Sequence, residues 1–149
     1  MCVLRVVGRE LDAAGYLATS KLTAYKVFRA GEPRFLSNPG RGRHAVSGFS
    51  VAVSDPSGKD LRGQVEDAVA FLAQHEDELL TLRSTPGVED VRLDFPVDLR
   101  IDRRNVMAQF EYLPPELIRR AGALGMGIEL SIYPEDLDRL AAGQRPPSH

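Results

Sequence analysis

The chain contains no tryptophan, one cysteine, three histidines and only three lysines. Each scarcity closes a class of function. With Cys2 alone, no internal disulfide and no cysteine-rich metal site can be built, which fits a reducing compartment. His44, His75 and His149 stand far apart, without cysteine or acidic partners at ligand spacing, so no zinc site is written here. No apolar run approaches the ~20 residues of a membrane helix. The opening MCVLRVVGRE meets charge after four apolar residues and lacks the apolar centre of a secretory leader. A net charge of −2 gives no bulk attraction to nucleic acid, and four scattered tyrosines form no stacking platform. The G-x-S-x-G elbow, the H-E-x-x-H helix and the GK[ST] phosphate loop are missing. A soluble, cytoplasmic chain without metal, cofactor, nucleic-acid or membrane partner is expected.

Composition is ordinary for a globular protein, 43% hydrophobic and 27% charged over 149 residues. One domain over residues 1–133 is expected, with 134–149 as a partly disordered tail. Its basic residues divide 16 arginine to three lysine. Arginine favours fork-like contacts to carboxylate or phosphate, and a coding bias produces the same division.

The clearest pattern is VRLDFPVDLRID at 91–102, where apolar and polar residues alternate without a break. Period-2 alternation predicts a long strand with one face on a core and one toward water. A second strand at 106–112 would return beside it as a hairpin. The tightest closure pairs residues summing to 207, so Val97 faces Phe110, Leu99 faces Ala108 and Asp98 lies beside Gln109. Pro96 cannot donate to a ladder and suggests a bulge or an edge.

Other strands are expected at 2–8, 23–29, 46–53 and 127–133, the last with Ile128, Leu130 and Ile132 inward. Asp12 is a candidate cap for a helix over 13–20. Leu61, Val65, Ala68, Leu72, His75, Leu79 and Leu82 form one apolar stripe of a helix lying on a sheet, capped by Asp60. Pro114-Pro115 open a third helix with Leu117, Ile118, Ala121 and Leu124 on its apolar side. The order β-α-β-β-α-β-β-α-β predicts an α+β fold, with a mainly antiparallel sheet and helices packed on one face.

The segments LRVVGRELDAAGYLATSKLTAYKVFRAGEP, GFSVAVS and LPPELIRRAGALGMGIELSIYP carry a resemblance. Over residues 4–134 the chain resembles a bacterial family known as domain of unknown function 4279. The resemblance implies the fold and a bacterial origin, and brings no activity, substrate or catalytic residue.

Two surfaces are candidate sites. On the charged side of 91–102, Arg92, Asp94, Asp98 and Arg100 lie in line, with Glu111 and Glu129 available from neighbouring strands. Residues four apart on a strand are roughly 13 Å apart, so these aspartates cannot share a proton or metal alone. Cross-strand ion pairs on a solvated face are the simpler outcome. The longest loop, residues 30–44, carries Arg41, Arg43 and His44 among glycines that can present backbone N–H groups to an anion. Gly40-x-Gly42-x-x-Ala45 matches a loose dinucleotide fingerprint but precedes a strand, where the fingerprint must follow one. The sequence therefore points to a non-enzymatic protein-binding module, immunity-type or regulatory. An anion- or nucleotide-binding module on loop 34–44, a small carboxylate enzyme and a homodimer through the open face are the alternatives.

Overall fold

The computed structural model describes residues 1–55, 60–101 and 105–134. Alternation organises it. In β1 (Val3–Gly8), Leu4 and Val6 turn to one side and Arg5 to the other. The same rule shapes β2 (Ala24–Phe28), β3 (Ser47–Ala52), β4 (Asp90–Leu99) and β5 (Gly127–Pro134). They form one sheet of order β2-β3-β1-β4-β5, antiparallel except between β4 and β5.

Four helices among the described residues cover one face: α1 (Ala13–Thr19), α2 (Leu61–Gln74), α3 (Glu76–Arg83) and α4 (Pro115–Ala123). Leu4, Phe49, Leu93 and Phe95 from the sheet meet Leu72, Leu79, Leu82 and Leu117 from the helices in one buried cluster. Tyr16 of α1 stacks on Phe49 with ring centroids 5.5 Å apart. Asp12 accepts from the Gly15 N–H at 3.0 Å and Asp60 from the Gly63 N–H at 2.7 Å, so both expected caps are in place. Where β1 ends, the backbone passes close to the Gly87 turn. A Cβ on Gly8 would lie 1.7 Å from the Gly87 carbonyl oxygen, so no side chain fits there.

The architecture is the expected α+β one, but the strand order differs. Residues 106–112 do not form a ladder with β4. β5 takes that place and runs parallel, from Arg92 opposite Gly127 to Leu99 opposite Pro134. The reason lies in α4. To bury Leu117, Ala121 and Leu124 it must cross the helix-covered face, and such a crossover returns the chain parallel to β4. β1 begins at Val3 opposite Asp94, so Pro96 lies beyond that ladder and costs no bond there.

Three local expectations also change. The stripe over 61–82 is carried by two helices, α2 and α3, that meet at His75. Glu76, Asp77 and Glu78 occupy the first turn of α3, where the dipole of a new N-terminus favours them. Leu130 and Ile132 are exposed rather than inward, because β5 is an edge strand and the core cluster reaches only Ile128. Asp94, expected on a solvated face, is buried at 3% exposure. The turn expected at 55–58, the closure at 102–105 and the tail from 134 fall largely outside the described residues.

Candidate functional site

The uncovered face of the sheet holds its charges in fixed pairs. Arg5 sits opposite Arg92 in the β1–β4 register, a repulsive neighbour pair unless carboxylates separate them. They do. Arg5 Nη2 lies 2.6 Å from Asp94, which also accepts from the Ser131 hydroxyl at 2.5 Å. Arg92 reaches Asp90 at 2.6 Å with Nε and Glu129 at 2.8 Å with Nη1. Its bonds to Glu129 and then Asp90 hold the guanidinium above its already high ordinary range.

At the far end of β4, Arg100 reaches Glu111 at 2.7 Å. Gln109 bridges the two segments. Its amide donates to the Asp98 carbonyl at 2.9 Å and accepts from the Arg100 N–H at 2.8 Å. Asp98 itself is exposed. The nine candidate residues therefore separate into three places: Arg92, Asp94 and Glu129 together; Asp98, Arg100 and Glu111 together; and Arg41, Arg43 and His44 on the loop. The four carboxylates Asp94, Asp98, Glu111 and Glu129 do not converge. Among the described residues no cluster of three or more His, Cys, Asp or Glu can hold a metal ion.

The loop between β2 and β3 is closed on itself and folded toward the sheet. Gly31 N–H donates to His44 O at 2.8 Å, His44 N–H to Glu32 O at 2.9 Å and Arg34 N–H to Gly42 O at 3.0 Å. Arg43 ties its base, donating from Nη1 to the Gly31 carbonyl at 2.7 Å, while Arg41 ends an exposed turn (Pro39–Arg41). His44 stacks on Phe28 with centroids 4.4 Å apart and planes at 24°. Phe28 in turn lies over Gly48, where a Cβ would come within 2.8 Å of the ring and 2.3 Å of the Val6 carbonyl.

This fold-over encloses a hollow of about 360 Å³, lined by Arg5, Val7, Tyr25, Lys26, Phe28, Arg34, His44, Val46 and Ser50. Its volume falls in the range of small-ligand sites. Arg5, Ser50 and Lys26 occupy one cross-strand row, because Ser50 is the register partner of both cations. Lys26 Nζ stands 5.9 Å from the Phe28 ring centroid. Among the described residues neither Lys26 nor Arg34 has a carboxylate partner. Burial, then Lys26 and Arg34, hold the His44 imidazolium below its ordinary range, with Glu32 opposing. Of the three loop candidates, His44 lines the hollow, Arg43 ties the base of the loop, and Arg41 stands outside the lining.

A more voluminous opening, about 510 Å³, lies between α2 and residues 111–114. Its polar groups are spent on one another: Arg62 pairs with Glu66 at 3.0 Å, and Glu111 with Arg100. The remaining lining is apolar, with Leu61, Val65, Tyr112 and Pro114.

No family model, curated protein or solved structure matches the chain. No helix among the described residues is long and apolar enough to cross a membrane.

Proposed function

We propose that the protein is a non-enzymatic binding module whose open sheet face receives an acidic segment of a partner protein, anchored in the basic hollow. The observation that carries it is the pair of cations, Lys26 and Arg34, lining the hollow with no carboxylate partner among the described residues. Elsewhere on the face Asp94, Glu129 and Glu111 each already hold a guanidinium. These three are held in ion pairs and Asp98 stands exposed near the end of β4, whereas general acid–base work needs a group within hydrogen-bond reach of the reacting atom. Ordered arginines and an aromatic floor suit a protein interface. The resemblance to domain of unknown function 4279 supports a bacterial origin, and the absence of catalytic motifs from the sequence favours a regulatory or immunity role for such a module.

The test is fluorescence anisotropy with a labelled hexaglutamate peptide at low salt. Saturable binding is expected, weakened at least tenfold in Lys26→Gln/Arg34→Gln and little changed in Arg9→Gln/Arg62→Gln, which removes the same charge elsewhere. No binding, or equal loss in both variants, would contradict the proposal.

A further inference from the structure

Resting on the assignment of this face to binding, we infer that the hollow recognises a phosphomonoester, its phosphate held by Lys26, Arg34 and the Ser50 hydroxyl and its organic body lying on Val7, Phe28 and Val46.

Three features favour phosphate over carboxylate. The first is charge. Lys26 and Arg34 bring two cations without described carboxylate partners, and Arg5, half exposed beside Asp94, adds a third. A dianion is attracted to each cation about twice as strongly as a carboxylate at the same distance.

The second is the direction of the donors. The ammonium comes from β2, the guanidinium from the loop above and the hydroxyl from β3. A phosphate presents three peripheral oxygens to such a set, and a carboxylate only two. Ser50 is 6% exposed and lines the hollow from β3, in the row between Arg5 and Lys26. A hydroxyl in the wall of the hollow can donate to a phosphate oxygen.

The third is size. About 360 Å³ is far more than an inorganic anion fills, and the remaining wall is apolar or aromatic. An ester with an apolar body uses both parts.

The experiment titrates wild-type protein, by calorimetry and NMR, with phenyl phosphate, inorganic phosphate, benzoate and a phosphotyrosine peptide. Phenyl phosphate should bind at least tenfold more tightly than benzoate. Lys26→Gln/Arg34→Gln should lose at least tenfold, and Ser50→Ala about threefold, with unchanged circular dichroism and Arg9→Gln/Arg62→Gln as the charge-matched control. Tighter binding of the peptide than of phenyl phosphate supports a partner's phosphorylated side chain as the source; equal binding supports a free small ester. Benzoate matching phenyl phosphate, or binding that survives Lys26→Gln/Arg34→Gln, overturns the inference. Hexaglutamate binding without phenyl phosphate binding overturns it alone, and failure of both ligands overturns the binding face as well.

Discussion

Arg5 and Lys26 stand on either side of Ser50 in a single row across three antiparallel strands. Two cations at that spacing repel, and among the described residues only Arg5 of the two has a carboxylate, Asp94, at 2.6 Å. The row is therefore balanced toward β4 and unbalanced toward β2, where the loop adds Arg34 and His44. That asymmetry separates a structural half of the face from a binding half.

The structural half is tested by a double-mutant cycle on Arg5 and Asp94. Asp94 is nearly fully buried and bonded also to Ser131, so removing Arg5 leaves a desolvated carboxylate without its cation. Coupling of about 1–3 kcal/mol is expected from urea denaturation. The exposed Arg62–Glu66 pair should couple by less than about 0.5 kcal/mol. Equal coupling would mean that Asp94 is hydrated.

Glu78 holds the connection between α1 and β2 to α3. One carboxylate oxygen accepts from the Ser20 hydroxyl, from the Lys21 N–H at 2.9 Å and from the Tyr16 hydroxyl at 3.5 Å. Glu78→Ala should cost about 1–3 kcal/mol. Glu76→Ala, an exposed neighbour, should stay within about 0.5 kcal/mol. Equal effects in denaturant melts would place the fastening elsewhere.

Cys2 gives an alkaline signature. Burial, and then the charge of Asp94, push its thiol from 9.0 up to about 12. The neutral thiol is the favoured form in the fold. Its contribution is intact below pH 9 and is lost as pH rises toward 12. At pH 8 the native thiol should react with a disulfide reagent roughly a thousandfold more slowly than in urea. Above pH 9, Cys2→Ala should lose stability less steeply than the parent.

His44 reports on the binding half. Burial and the charges of Lys26 and Arg34 depress its titration, Glu32 opposes them, and Arg5 faces it across the hollow. A depressed imidazole favours the neutral form in the fold. That stabilisation is present above pH 6.5 and is lost as pH falls through the lowered value. Lys26→Met should move the His44 ring titration upward in NMR, and Glu32→Gln should move it downward. Phenyl phosphate should raise it in the parent. An immobile titration in all three would remove His44 from the charged hollow.

Local signals carried much of this fold. The caps at Asp12 and Asp60 and the alternation of β4 involve neighbours along the chain; the caps stand where the side chains predict, and the apolar face of β4 holds from Val91 to Val97, with Leu99 and Ile101 exposed instead of inward. Strand partnership did not follow from pattern. Residues 106–112 and 127–133 alternate equally well, and the choice between them was made by α4 crossing the core. Gln109 does lie beside Asp98, but through its side-chain amide rather than a ladder. The hollow was half legible. His44 and the loop stood out by composition, while Arg5, Lys26 and Ser50 come from three separate strands and share a row only through the register.

The most direct test of the central claim is backbone amide shift mapping of labelled protein with the hexaglutamate peptide. The account predicts saturable shifts confined to β1, β2, β3 and the loop of residues 29–46, strongest near Arg5, Lys26, Arg34 and His44. Shifts centred on Leu61, Val65 and Tyr112 beside α2, or no shifts at all, would contradict it.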